Sequence, residues 1–461
     1  MSFKKIIFDI IYYFFFLILC YMMMVVAQKG PAATVYFLFL LICFSSLLKA
    51  SIEHIIFIYI IFYPLGDILP VSGILIQGIN LGEIISIMLI LFYLKNYYKS
   101  KINFNKIEKL AVVLSFFFIV IYFGTFYFKS FIIYGMGGVS KTTFLIRFLK
   151  LVIQFLSIFI IIHSYNLSDR VKIWVKRGIL FGFVFLGLNI YLTPLFYKLG
   201  LSIGNTPDDY IEGSLLASRS VGLFKDDANR FAHYMVVGFG YFLAIIEKKN
   251  KVNIFLILFI IICAIMVSGS RSGFVTLMLI IISFLFRQLY KKRLQEFILV
   301  IFSILIAYFL FGTTLERRLF NLESELGENI DQYNRIKYQL IYFNEIINNK
   351  SLLINGYWDK TQLYKSTGRW RNPHNQYMGM VFWGGIPYLI SFLVILLKII
   401  KMDQNLRASN SGISILYSFI GFCIMYALNP NDFIMYFPLI LILSYDYLLF
   451  PKNKAKMQLL S

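Results

Sequence analysis

The residues best suited to chemistry in this 461-residue chain are one histidine and a handful of arginines. His374 stands in the run Arg369-Trp370-Arg371-Asn372-Pro373-His374-Asn375-Gln376-Tyr377, an aromatic and cationic cluster that leads into an apolar segment. Imidazole exchanges a proton near neutral pH, the property a general base needs. Pro373 pushes Asn372 toward extended geometry and so marks the start of a helix, and a helix N-terminus favours an anion. Arg271 lies in Ser268-Gly269-Ser270-Arg271-Ser272-Gly273, a small-residue hairpin between two strongly apolar runs. An arginine at membrane depth ordinarily faces a cavity or a partner, and its small neighbours leave room for a ligand. Arg147, in Lys141-Thr142-Thr143-Phe144-Leu145-Ile146-Arg147, and Arg219, in Ala217-Ser218-Arg219-Ser220, are weaker versions of the same feature.

Several arginines and a histidine converging on one cavity would suit a pyrophosphate. Guanidinium groups hold phosphate oxygens through paired, planar hydrogen bonds. They also stabilise the charge that grows on a departing pyrophosphate, while the histidine takes the proton of an attacking hydroxyl. The sequence has no DxD, no paired metal carboxylates and no Cys/His metal spacing, so the expected mechanism uses no metal, and no cofactor is expected. Of the other histidines, His54 and His163 read as interfacial and His233 falls early in a helix, three residues after Arg230. Cys20, Cys43, Cys263 and Cys423 lie in apolar runs and read as small buried side chains.

The elements that must position these residues are apolar runs. Hydrophobic residues make up 59% of the chain and charged residues 15%, against roughly a quarter charged in soluble domains. Mean hydropathy is +0.75. Continuous runs of about 20 apolar residues span a bilayer as helices, whereas an outer-membrane barrel would show short alternating segments. The expected fold is all-α: a single polytopic integral membrane domain of about 12–14 transmembrane helices with a large extracytoplasmic loop. Spans are predicted near 6–27, 32–48, 53–69, 80–95, 109–128, 143–164, 177–197, 229–246, 252–268, 272–290, 295–312, 375–399, 411–428 and 432–450. Pro64, Gly66, Pro70 and Gly73 interrupt the second to fourth. The first run is long, aromatic-rich and without a small-residue cleavage site, so it reads as a retained helix rather than a signal peptide.

Charge orients the helices. Lys4 and Lys5, Lys95 to Lys109, Arg170 to Arg177, Lys248 to Lys251, Arg287 to Arg293, Lys398 to Arg407 and Lys452 to Lys456 fall in alternate connections. Basic short loops mark the cytoplasmic face, which puts both termini inside. The net charge of +21 then reads as a topology signal suited to an anionic leaflet, and no nucleic-acid partner is needed. Two outer segments are long, 198–228 and 313–374. The second breaks the pattern with Arg317, Arg318, Arg335, Arg369 and Arg371 among mixed charges.

Three stretches in this order resemble the superfamily of bacterial O-antigen polymerases and O-antigen ligases. The first is Val221-Gly222-Leu223-Phe224-Lys225-Asp226-Asp227-Ala228-Asn229-Arg230-Phe231-Ala232, and the second is the Ser268–Gly273 turn. The third runs from Asn334-Arg335 through Ile354-Asn355-Gly356-Tyr357 to His374-Asn375-Gln376-Tyr377 and Gly384-Gly385-Ile386-Pro387. The resemblance covers about residues 217–390. It implies a multi-pass glycosyltransferase of the bacterial cytoplasmic (inner) membrane, acting on its outer face. Its partners would be undecaprenyl-pyrophosphate-linked oligosaccharide as donor and acceptor, with a chain-length regulator beside it. Carried over by position, Arg271 and Arg335, with Arg219 in addition, would contact the donor pyrophosphate, and His374 would activate the acceptor hydroxyl. Polymerase is the favoured activity. The alternatives are a ligase that transfers polysaccharide to lipid A–core, and, in a different class, a flippase for lipid-linked oligosaccharide.

Overall fold

A computed structural model describes residues 52–62, 81–97, most of 149–164, 168–198, 228–249, 252–291, 293–320, 330–348, 350–355, 375–408 and 416–428. The described residues are helical and include no strand. Part of 149–164 is helical, and the described residues also form these helices, in order: α1 Ile52–Phe62, α2 Leu81–Tyr97, α3 Asp169–Lys198, α4 Ala228–Lys249, α5 Val252–Ser268, α6 Arg271–Tyr290, α7 Leu294–Phe320, α8 Ile330–Asn348, α9 Lys350–Asn355, α10 Gln376–Ala408 and α11 Leu416–Leu428. They divide between two compact units, with α1, α2 and α3 in one and α4 to α11 in the other.

In the first unit α1 is apolar almost all round and is accordingly buried, as such a helix must be. Ile55, Ile56, Phe57, Tyr59, Ile60 and Ile61 are all covered. It packs against α2 and α3. Phe57 meets Trp174 edge-on at 5.4 Å and Phe181 at 5.8 Å, and Gly178 lets Ile60 approach the backbone of α3.

The second unit is built on the α5–α6–α7 series. α6 buries one stripe, Gly273, Leu277, Ile280, Ile281, Phe284 and Gln288, spaced so that the same face returns every turn or two. α11 lies along that stripe: Gly421 admits Ile280 and Val236, and Phe284 meets Tyr417 at 5.8 Å. α4 joins through Ser418, whose hydroxyl donates to the Val237 carbonyl at 2.9 Å, and through Gly240, which lies against the Tyr417–Ser418 backbone.

Among the described residues, two helices are long and apolar enough to cross a membrane, Arg271–Tyr290 and Leu294–Gly312. Shorter apolar helical segments include Ile52–Ile61, Ile85–Leu94, Phe231–Ile246, Ile254–Ser268 and Leu416–Met425. The predicted spans 6–27, 32–48, 109–128 and 432–450 lie outside the described residues.

Helices also occupy much of the polar segment 313–374. α7 continues to Phe320, beyond the apolar span ending near 312, and α8 and α9 follow within the same segment. High charge density masks the apolar face of α8, on which Tyr342 packs with Val381 of α10, joined by Ile341, Ile346, Met378 and Leu389. α10 is interrupted where the sequence predicts a continuous span. Gly385 adopts φ 72° and ψ −175°, a region essentially restricted to glycine, and Pro387 follows it. The break lets α9 abut α10: a Cβ on Gly385 would lie 2.5 Å from the Ile354 carbonyl oxygen.

Candidate functional site

Arg271 is the first residue of α6, and the turn that presents it is held by neutral polar groups. Gly269 takes φ 63°, a left-handed conformation that glycine tolerates at no steric cost, and its N–H donates to the Met266 carbonyl at 3.2 Å. This reverses the chain between α5 and α6. Ser268 donates its hydroxyl back to the Ile265 carbonyl at 2.7 Å and accepts from the Ser270 N–H at 3.3 Å. Ser270 is extended and caps α6, its hydroxyl oxygen accepting from the Gly273 N–H at 3.2 Å. Such a cap contributes about 1 kcal/mol.

A residue from another helix completes the arrangement. The Asn229 side-chain oxygen accepts from the Ser270 hydroxyl at 2.9 Å and from the Ser272 hydroxyl at 3.3 Å. Gly273 packs directly against Ala232, one turn further along α4; any side chain there would separate the two helices. The start of α4 and the Ser-Arg-Ser turn are thus locked together at the end of α6 that bears Arg271. Arg271 itself is partly exposed.

The third stretch enters the same unit through α10. Asn375 caps this helix by accepting from the Met378 N–H at 3.1 Å, and the Gly379 N–H donates to its carbonyl at 3.0 Å. Tyr377 donates its hydroxyl to the Cys423 carbonyl of α11 at 3.0 Å. α11 in turn packs along α6 and α4, so α10 is tied to the helices that carry Arg271 and Asn229.

Arg335 belongs to the second turn of α8, while its side chain lies outside the described residues. His374, Arg371, Arg219 and Arg147 also lie outside them. His374 is the residue immediately before Asn375, and Arg335 precedes by seven residues the Tyr342 that packs on α10. His233 is fully buried, with its ring 5.5 Å from that of Phe422. His163 is buried beside Phe159, and His54 lies against Trp174 at 4.4 Å. All three sit among aromatic side chains. Among the described residues no cluster of His, Cys, Asp and Glu could hold a metal ion.

Sequence reasoning singled out Arg271 but missed the part played by Asn229 and the two serines. The only local signal was an asparagine at the head of an apolar helix and hydroxyls on both sides of an arginine. Chemically, the site offers a guanidinium at a helix N-terminus on a scaffold of hydroxyl and amide groups, which suits an anionic, oxygen-rich ligand. No protein-family model matches the chain, and no curated protein matches its sequence.

Proposed function

We propose that this protein is a polytopic glycosyltransferase, a polysaccharide polymerase that joins undecaprenyl-pyrophosphate-linked repeat units on the outer face of a bacterial cytoplasmic membrane. The observation that carries the reading is the pair of hydrogen bonds that Asn229 accepts from Ser270 and Ser272. It brings together two of the three stretches on which the family resemblance rests, with Arg271 between the two serines. In this reading Arg271 and Arg335 hold the donor pyrophosphate, His374 takes the proton of the acceptor hydroxyl, and that oxygen displaces the pyrophosphate from the donor sugar. The arginines stabilise the charge on the leaving group.

Membrane placement is supported by the surfaces of α6 and α7. Only 39% and 22% of their apolar stretches are buried within the protein, unlike the core helix of a soluble protein, and both lie far from the N-terminus. Phe302, Leu305 and Phe309 on α7 face outward, Phe309 at 88% exposure. About 12–14 spans with both termini cytoplasmic would put the Arg271 turn outside.

A deletion strain tests the function through its surface polysaccharide. Loss of long chains, with single repeat units still attached to the surface, is the expected result. Unattached lipid-linked long chains would identify a ligase instead, and lipid-linked units trapped inside would identify a flippase. Complementation with Arg271→Ala or His374→Ala should fail to restore long chains while the protein remains in the membrane. Normal polymerisation by purified His374→Ala protein would refute the base assignment.

A further inference from the structure

The opposite end of α6 carries a second polar cluster that the proposed reaction does not use. Gln288 closes the buried stripe of α6 and is 0% exposed. Neither its amide nitrogen nor its amide oxygen has a hydrogen-bond partner, although an unsatisfied buried polar group is costly. Arg287 lies beside it, with its guanidinium over the Tyr417 ring at 5.9 Å. The chain then turns tightly, the Lys291 N–H donating to the Arg287 carbonyl at 3.1 Å and the Arg293 N–H to the Gln288 carbonyl at 3.0 Å. Three basic residues, Arg287, Lys291 and Arg293, therefore gather at this end. Glu296, buried in the first turn of α7, lies 4.0 Å from Arg293. Two helix N-termini open here as well, that of α7 after Arg293 and that of α11 at Leu416, next to Tyr417. Cations, helix N-termini and a buried amide together select an anion that can also accept and donate hydrogen bonds.

The surroundings decide which anion. Outward-facing apolar side chains flank the cluster: Phe286, Tyr290, Leu294, Ile298 and Phe302, with Tyr290 at 90% exposure. Free phosphate has no use for such a surface, whereas a lipid would lay its acyl chains along it. We propose that the α6–α7 turn and the start of α11 form a binding site for the phosphate headgroup of an anionic phospholipid. Gln288, Arg287 and Lys291 meet the headgroup, and α6 and α7 carry its chains. The site requires these two helices to lie in a bilayer, but it requires nothing of the polymerase reading.

Native mass spectrometry of the full chain, released from micelles containing equal dioleoyl phosphatidylglycerol and dioleoyl phosphatidylcholine, tests the site. The wild type should retain phosphatidylglycerol preferentially. Arg287→Gln and Lys291→Gln should each weaken that retention about tenfold, the effect of losing one hydrogen bond to a charged group. Gln288→Leu should abolish the preference yet raise Tm in phosphatidylcholine alone, because it removes an unpaired buried amide. Lys291 is exposed, so its variant reports on binding even where the buried substitutions fold poorly. Equal retention of the two lipids overturns the proposal, as does a preference unchanged in Lys291→Gln. A Tm rise with inorganic phosphate that matches the rise with phosphatidylglycerol would overturn the lipid assignment in favour of a soluble anion.

Discussion

Replacing Gly385 by alanine should detach the short helix α9 from α10, and the cost can be worked from the geometry. At φ 72° and ψ −175° a residue with a side chain pays about 1–3 kcal/mol in backbone strain. The new methyl would also lie 2.5 Å from the Ile354 carbonyl oxygen, 2.7 Å from its carbon and 2.8 Å from the Leu353 oxygen. All three are backbone atoms at the end of α9 and cannot rotate away as a side-chain tip would, so α9 must move as a unit. Overpacking of this kind adds about 1–3 kcal/mol, for a total near 4 kcal/mol. At about 2 °C per kcal/mol for a domain of this size, Tm in detergent should fall by about 8 °C. The control is Gly178→Ala in α3. Its Cβ would meet Ile60 and Phe57 at 3.4 Å, an ordinary contact, with no positive φ, and the change should gain up to about 1 kcal/mol in helix propensity. A Gly385→Ala protein with a Tm equal to or above that of the wild type would refute the reasoning.

Other consequences of the geometry are open to measurement. Asn229→Ala removes the acceptor shared by Ser270 and Ser272 and should cost about 1–3 kcal/mol, read as a lower Tm. Asn229→Asp retains the acceptor but places a negative charge beside the Arg271 turn, so it should hold Tm near the wild-type value while long-chain polysaccharide is lost. Ser270→Ala removes the cap of α6 and should cost about 1 kcal/mol; a loss below a few tenths would show that the cap is dispensable. Tyr342→Ala opens a cavity between α8 and α10 and should cost about 3–5 kcal/mol. Tyr342→Phe keeps the packing and should recover most of that loss in the same thermal assay.

What could be read from the sequence depended on whether the signal was local. The Ser268–Gly273 turn was legible because glycine, serine and arginine between two apolar runs dictate a hairpin without reference to any other segment. Gly384-Gly385-Ile386-Pro387 was visible as a motif, but its break in α10 was not, since the reason for the break is the approach of α9 from 30 residues earlier. The 313–374 segment read as a polar loop because its many charges hide the periodicity of Ile341, Tyr342 and Ile346, which becomes meaningful only once Val381 is opposite. Asn229 reaches hydroxyls 41 and 43 residues away, a pairing no spacing rule could supply. Gln288 shows the same limit in reverse. One amide in an apolar helix looks unremarkable until its position on the buried stripe is known.

The two ends of α6 are built on opposite principles, and the difference bears on what each can bind. At the Arg271 end the hydroxyls of Ser268, Ser270 and Ser272 and the Asn229 side chain satisfy one another and the helix N-terminus. The turn therefore keeps its shape through neutral groups, and Arg271 adds a positive charge to it. In the proposed reaction a ligand could therefore arrive at and leave this end without the turn losing its shape. At the Gln288 end both amide atoms are buried and unsatisfied, so the fold is incomplete by about the cost of an unmade hydrogen bond, roughly 1–3 kcal/mol. A group that supplies that bond stabilises the folded state by mass action and has reason to stay. The proposed exchange of substrate at one end and the proposed residence of a lipid at the other would both follow from the same rule, that buried polar groups must be paired.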